Sequence, residues 1–374
     1  MKSKVTRALA ACLSAMLVTA CGGGGGSTPN SSAHTEAHLV PVILPGPVST
    51  NSPAPPTGDS YSMALAIPPR VQWNANYGYC GEMSFISAGL YYGQYVSQFA
   101  ARAAATPGIQ QNDVNSQLLI SLNDQSAAAT MHLTATEWNW QASSATTNQF
   151  LSWVKGYVVA GYPVIIGVYV NRRDGTARGF SSYDHIVPVT GIASNHPLVP
   201  GLDQVYYADD ILQLGDNSGN VFQYAFGAFQ MTRTQANAPQ GPPFGLALHT
   251  SSDTFNAAVA VTGVIDLDYE TVPVRLATNL NAETPAIANG AITEPTAQPV
   301  TLTATVYGLT PGVSYNVYQY NALASIPNSA FNAHAAAAYQ KYTFTATGST
   351  YVLPAIDIMS NQVAAFRAVP ASAH

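Results

Sequence analysis

The sequence predicts an α+β domain over residues 67–270 and a β-sandwich over residues 271–374. In the first domain, helical patterns come early and apolar runs rich in β-branched residues follow, an order typical of α+β proteins. After residue 271 the runs become short and alternating, with turn residues between them. We therefore expect two folded units of different secondary structure.

The first 21 residues predict a signal peptide, because basic residues lead an apolar run that closes on small residues and Cys21. The pattern resembles the lipobox of bacterial lipoproteins, which implies cleavage before Cys21 and acylation of its thiol. The residue after Cys21 is Gly22 and not Asp, which in enteric-type sorting favours the outer membrane. The same analogy therefore predicts the outer membrane of the bacterial cell envelope. The expected partner is then the lipid bilayer, reached through an N-terminal acyl anchor. An ordinary signal peptide cut nearby is the alternative.

Residues 22–66 predict a disordered tether between that anchor and the folded part. Gly, Ser, Pro and Thr dominate this stretch, and it shows no apolar periodicity. Such a composition does not bury enough surface to fold, but it holds a domain away from a membrane.

Charge and composition exclude some classes of function. Charged residues make up 9% of the chain, the net charge is −6, and no basic patch is present. Nucleic-acid binding therefore has no electrostatic basis. No cofactor is expected, and the histidines and cysteines lack the spacing of a metal site. The oligomeric state is left open.

The pattern predicts the elements of the first domain in order. Residues 81–104 carry a broad apolar helical face, and residues 147–161 predict a second helix that ends at Gly161. Strands are expected over 162–170, 184–193, 205–216, 244–250 and 257–266.

The second domain is expected to be all-β. Its strand-like runs include "PVTLTATVYGL", "SYNVYQYNA", "QKYTFTATGSTYVL" and "AAFRAVPA". The stretch "LTPGVSY", residues 309–315, resembles a corner of fibronectin type III domains, which implies an Ig-like sandwich. No cluster of catalytic residue types stands out in this domain.

Cys80 is the candidate nucleophile. Of the three cysteines, Cys12 lies in the signal peptide and Cys21 would carry lipid, so the sequence predicts a lone Cys80 in the folded part. Cys80 stands just before the helical pattern, and a helix N-terminus lowers a thiol pKa. The alternative is a small, buried apolar residue.

A thiolate also needs an imidazole, and His185 is the best candidate because it opens the apolar strand "HIVPVTG". The strand-like run "ILQLG" then leads into Asp216 and Asn217, either of which could fix the histidine tautomer. The competing interpretations are a core histidine and a plain turn. Other histidines of the same domain are His132, His196 and His249.

Taken together, these residues resemble the papain-like cysteine peptidase superfamily, and most closely the bacteriocin-leader (double-glycine) peptidases. Cys80 is followed by Gly, and a helix, a Gly, a Pro and an apolar strand precede "DHIVPVTG"; the match spans about residues 70–266. The resemblance implies Cys80 as nucleophile and His185 as general base and acid. Asp216 would be the orienting residue, with Asn217 as runner-up.

The family also uses a side-chain amide shortly before the cysteine to complete the oxyanion hole. This chain has Asn74 where the family usually has Gln, and Gln72 stands two residues earlier. Both remain candidates for a donor that typically contributes about 3 kcal/mol to the transition state. Glu82, next in the first helical turn, is expected to complement the helix dipole.

The sequence thus predicts a membrane-tethered thiol hydrolase, a peptidase or amidase that cleaves a peptide or amide substrate through an acyl-enzyme. A transamidase would use the same groups. The alternative from another class is a catalytically inactive surface lipoprotein that binds peptide or glycan.

Overall fold

The computed structural model describes residues 61–67, 72, 76, 78–139, 147–172, 181–196, 210–215, 221–225, 244–246, 257–279 and 297–373. The described residues form an α+β fold. Its helices are α1 (Cys80–Tyr91), α2 (Gln98–Ala105), α3 (Asp124–Thr130) and α4 (Thr147–Val159). The signal peptide, Cys21 and residues 22–60 of the predicted tether lie outside this part of the chain. Residues 61–66, which were also assigned to the tether, are described, and Met63 and Ala64 pair as a strand with Ile192 and Gly191, so this end of the predicted tether is folded.

The strands fall into one large sheet and two smaller ones. They are β1 (Met63–Ala64), β2 (Gln94–Tyr95), β3 (Leu133–Glu137), β4 (Val164–Arg172), β5 (Ser181–Ala193), β6 (Ile211–Gly215), β7 (Val221–Ala225), β8 (Phe244–Leu246), β9 (Ala258–Val264), β10 (Val274–Thr278), β11 (Pro299–Tyr307), β12 (Ser314–Tyr320), β13 (Gln340–Thr345), β14 (Thr350–Val352), β15 (Ile356–Met359) and β16 (Ala364–Pro370).

The large sheet is antiparallel and has apolar side chains on both faces. Its order is β3-β9-β4-β5-β6-β7, with β1 added to β5 and β8 added to β4. Because side chains alternate along a strand, neighbouring residues point to opposite faces of the sheet and pack into different hydrophobic cores. Val187 packs with α4 on one face, whereas Ile186 packs with α1 and α3 on the other.

Two four-stranded sheets form the C-terminal part. One holds β10, β11, β14 and β15, the other holds β13, β12, β16 and β2, and their apolar side chains share one core. This arrangement agrees with the expected β-sandwich. Within the "LTPGVSY" stretch, the Tyr315 hydroxyl accepts a hydrogen bond from Thr310 N at 3.0 Å.

The two units are joined by a shared sheet. β2 belongs to the N-terminal half, yet it pairs with β16, with Tyr95 opposite Ala364. Leu90 and Tyr95 both pack into the core of the C-terminal sheets. The sandwich therefore takes one of its edge strands from the segment that follows α1.

The prediction of one helix over residues 81–104 is wrong. α1 ends at Tyr91, and the chain turns through Gly93 into β2 before α2 begins. Gly93 has φ +70°, a conformation that favours glycine, and a Cβ there would lie 2.8 Å from Val274 Cβ. The break follows from packing against β10, which the local pattern does not reveal.

The other predicted elements are confirmed within a few residues, from α4 to β16. β5, however, begins at Ser181, so His185 lies inside the strand and does not open it. The sequence did not predict α3, β1, β2, β3, β7, β10 and β15. No helix among the described residues is long and apolar enough to cross a bilayer.

Candidate functional site

α1 begins at Cys80, as the sequence predicts. The residue before it, Tyr79, is the N-cap, and its carbonyl accepts from Met83 N at 2.9 Å. No side chain caps this end. The first-turn N–H groups therefore direct the positive end of the helix dipole at Cys80, which favours a thiolate there.

Gly81 lets another chain segment approach this helix end. A Cβ at residue 81 would lie 2.0 Å from Leu118 O, a backbone atom that cannot rotate away. The Gly after the cysteine is thus required by the contact with the segment at Leu118. The resemblance implied a Gly at this position, and the structure gives a steric reason for it.

Arg102 on α2 organises the chain that leads into Cys80. Its Nε donates to Glu82 Oε1 at 2.6 Å, and both side chains are almost fully buried. Its terminal nitrogens donate to Asn76 O at 2.7 Å and to Gly78 O. One buried guanidinium thus fixes two carbonyls before the helix and one carboxylate within it.

Tyr79 completes this arrangement. Its ring lies under the guanidinium, with Arg102 Cζ 3.7 Å from the ring centroid. Its hydroxyl donates to Gln111 Oε1 at 2.9 Å and accepts from Asn76 Nδ2 at 3.1 Å. Burial raises the pKa of the Tyr79 phenol, which therefore stays neutral and able to donate.

Glu82 does more than complement the helix dipole. Its Oε1 also accepts from Leu118 N at 3.0 Å, so it ties α1 to the segment that packs on Gly81. Because Arg102 offsets its charge, Glu82 repels a thiolate at Cys80 less than a lone carboxylate would. The role of Arg102 was not predicted, because the pattern "QFAARAAA" is typical of a helix with one solvent-exposed cation.

Ser84 links the first turn of α1 to β5. Its hydroxyl donates to Cys80 O at 2.8 Å and lies 3.2 Å from Ile186 O. The Ser84 hydroxyl therefore contacts both the carbonyl of Cys80 and the carbonyl of Ile186, the residue after His185. The structure brings the first turn of α1 and this part of β5 together.

His185 is buried, with 5% of its surface exposed, and pairs with Val168 across β4. Strand alternation puts His185 on the face shared with Val187, whereas Ile186 belongs to the same apolar cluster as Cys80. The backbone of β5 near Ile186 therefore lies between the imidazole of His185 and the sulfur of Cys80.

Two findings on Cys80 differ from the expectation. Its side chain is 3% exposed and packs within an apolar cluster that includes Phe85 and Ile186. It is also disulfide-bonded, which corrects the expectation of a lone thiol.

Three predicted site residues, Asp216, Asn217 and Asn74, also lie outside the described residues, as does His249, another histidine of this domain. β6 ends at Gly215, and Leu214 pairs with Val189, four residues beyond His185 on β5. The chain therefore runs alongside β5 shortly before Asp216. Gln72 is described and half-buried, but its role as oxyanion donor stays a prediction.

A second buried ion pair lies on the α4 side of the sheet. Lys155 Nζ donates to Asp210 Oδ2 at 2.6 Å, to Ser194 Oγ at 2.7 Å and to His196 O at 2.8 Å. These contacts fasten α4 to the ends of β5 and β6. A buried lysine that is paired with a carboxylate and hydrogen-bonded in this way suits a structural role.

No group of His, Cys, Asp and Glu among the described residues could hold a metal ion. The described cavity lies near Tyr91 and Tyr92, at the end of α1 opposite Cys80.

No protein-family model, curated protein or solved structure matches this chain.

Proposed function

We propose that this protein is a membrane-tethered thiol hydrolase, a peptidase or amidase with a papain-like domain and an Ig-like C-terminal sandwich. Cys80 is the nucleophile, His185 the general base and acid, and Asp216 the orienting residue, with Asn217 as runner-up. Gln72 or Asn74 supplies the side-chain amide of the oxyanion hole.

The observation that carries this proposal is the Ser84 link between α1 and β5. It ties the carbonyl of Cys80 and that of Ile186 to one hydroxyl, at 2.8 and 3.2 Å. The two predicted catalytic residues therefore flank one fixed junction. The Glu82–Arg102 pair holds the approach to the cysteine rigid, as a preorganised nucleophile requires.

The proposed reaction has two acyl-transfer steps. The Cys80 thiolate attacks the substrate carbonyl, and the imidazolium of His185 protonates the departing amine. Water, deprotonated by the same imidazole, then attacks the thioester and releases the acid and the thiolate. If an amine replaces water in the second step, the reaction is transamidation.

The nucleophile acts only after its disulfide is opened. Opening it takes two electrons from an external dithiol, which leaves as its own disulfide. If signal-peptide cleavage removes Cys12 and acylation occupies the Cys21 sulfur before any disulfide forms, Cys80 stays a thiol. The burial of Cys80 also requires side chains near the helix end to move when substrate binds.

The test uses a variant in which Cys80 is the only cysteine, made with Cys12→Ser and Cys21→Ser. Its rate of alkylation by iodoacetamide is measured from pH 5 to 9. An ordinary thiol, with a pKa of about 8.5, is less than about 1% ionised at pH 6. We expect labelling at pH 6 at least tenfold faster than that of a peptide thiol.

His185→Ala in the same background should remove that excess, because the imidazolium no longer stabilises the thiolate. His334→Ala is the matched control, since His334 is exposed in the C-terminal part. Labelling no faster than a peptide thiol, or equally fast in both histidine variants, would refute the nucleophile. Peptide substrates with and without an added amine then separate hydrolysis from transamidation.

The second candidate, a non-catalytic lipoprotein that binds peptide or glycan, is favoured by one observation. Cys80 is buried and disulfide-bonded, as a structural cysteine would be. In that case Cys80→Ser should leave peptide or glycan binding intact, and the alkylation profile should be that of a slow, buried thiol.

A further inference from the structure

A small cavity lies where the large sheet meets the C-terminal sheets. Its volume is about 40 Å³, and the residues that line it include Tyr91, Tyr92, Tyr162, Arg275 and Arg367. A water molecule needs about 10–15 Å³ of such space. The cavity therefore has room for a few waters or for one small group.

The described lining of this cavity carries positive charge and no carboxylate. The buried ion pairs of the described residues are Glu82–Arg102 and Lys155–Asp210, and neither cavity arginine takes part in them. Arg275 stacks on Tyr91, 4.1 Å from its ring centroid, and donates to the Tyr91 hydroxyl at 2.8 Å.

Arg367 is the unusual member, because it is 1% exposed and bonded only to backbone carbonyls. It donates to Phe366 O at 2.9 Å and to His132 O at 3.3 Å, while its Nε has no hydrogen-bond partner. Buried charges in proteins are normally paired, since an unpaired one is strongly destabilising.

One carboxylate acts on Arg367, but it is already hydrogen-bonded elsewhere. Asp266 acts on Arg367 through space, but its oxygens accept hydrogen bonds from Thr271 N, Thr271 Oγ1 and Asp268 N. Burial lowers the pKa of Arg367 to about 10, in spite of this carboxylate and of Tyr320. The guanidinium is thus buried, and it makes no salt bridge with a carboxylate of the described residues.

We propose that this cavity binds a small carboxylate between Arg275 and Arg367. A guanidinium presents paired N–H donors that match the two oxygens of a carboxylate, and the volume suits a group of that size better than a phosphate. Binding would supply both the missing acceptor for Arg367 Nε and the missing negative charge. The site is separate from Cys80 and does not depend on its chemistry.

The test is a thermal-unfolding series on the purified full chain with formate, acetate, inorganic phosphate or chloride at constant ionic strength. Formate or acetate should raise the midpoint in a saturable way, by about 3–5 °C at ten times its Kd. Titration calorimetry should give one site per chain. No rise above chloride, or a larger rise with phosphate than with acetate, would overturn the proposal.

Two variants and a control make the result specific. Arg367→Met should abolish the response to acetate, and its stability without acetate should equal or exceed that of the wild type because the unpaired charge is gone. Arg275→Gln should weaken the apparent affinity at least fivefold in a chain that keeps Arg367. Lys341→Gln removes an exposed cation of the sandwich and should respond like the wild type. An unchanged response in both arginine variants would refute the site.

Discussion

Glu82 and Arg102 form a salt bridge of 2.6 Å that is almost closed to solvent. It joins the first turn of α1 to α2, and Arg102 extends it to the carbonyls of Asn76 and Gly78. A pair of this kind is less a source of net stability than a constraint, because either charge alone would be buried without compensation. Loss of one partner should therefore harm the protein more than loss of both.

Replacement of Arg102 should be strongly destabilising. Arg102→Met leaves Glu82 buried without a counter-ion, and we expect a loss of about 3–5 kcal/mol in the free energy of unfolding. The double variant Arg102→Met with Glu82→Gln should recover part of that loss. Urea denaturation measures both, and a single-variant loss under about 1 kcal/mol would contradict the role assigned to this pair.

Replacement of Gly81 separates two opposing effects. Helix propensity alone predicts that Gly81→Ala stabilises the protein by up to about 1 kcal/mol. The contact with Leu118 O predicts the reverse, since overpacking costs about 1–3 kcal/mol or more. We expect destabilisation in urea. Gly348→Ala is the control, because a Cβ there meets nothing within 4 Å; a stabilised Gly81→Ala would show that the segment at Leu118 yields easily.

Asp124 should make the stability depend on pH. Burial, and to a lesser degree the charge of Glu137, raise the pKa of this carboxyl to about 8. The folded state therefore keeps a proton that the unfolded state releases above a pH of about 4. The contribution of Asp124 is complete below that pH and is lost as the pH rises towards 8, by up to about 1.4 kcal/mol per unit.

Urea unfolding at pH 5, 7 and 9 checks this dependence. Asp124→Asn should flatten the decline and be more stable than the wild type at pH 9, because it keeps a neutral side chain in the same space. Asp113→Asn is the control, since Asp113 is exposed. Equal slopes in all three proteins would mean that Asp124 is ionised in the folded state.

Ser84 should affect both folding and thiol reactivity. Ser84→Ala removes the hydroxyl shared by Cys80 O and Ile186 O, and it should lower stability by about 1–3 kcal/mol. If the link positions the helix end, the alkylation rate of reduced Cys80 at pH 6 should also fall several-fold. Ser87→Ala is matched: it is buried on the same helix but bonds to Met83 Sδ. Similar alkylation rates in the two variants would argue for a purely structural Ser84.

The sequence predicted the elements whose signal is local. The turn before Cys80 and the apolar run after it indicated where α1 begins, and the β-branched runs indicated β4, β5 and β9. The end of α1 was missed because Gly93 is held by Val274, which lies far along the chain. β2, with two residues, owes its place to β16 and carries no pattern of its own.

The site was predictable only in part, for a similar reason. The proximity of Cys80 and His185 was expected from the resemblance and stays a prediction, while the structure shows α1 and β5 in contact through Ser84 and Ile186. Arg102 gathers contacts from segments near residues 78, 82 and 111, so its role depends on packing and not on spacing. The burial and the disulfide of Cys80 were likewise not evident, because the composition shows neither the solvent exposure of a cysteine nor whether it forms a disulfide.

The pairing of β2 with β16 has a consequence for how this protein can be divided. A cut between residues 279 and 297 would separate the chain into two fragments without undoing the pairing of β10 with β11 or that of β2 with β16. The fragments should co-elute on a sizing column until denaturant parts them. Expressed separately, they should reassemble as a split protein, whereas either one alone should be prone to aggregate.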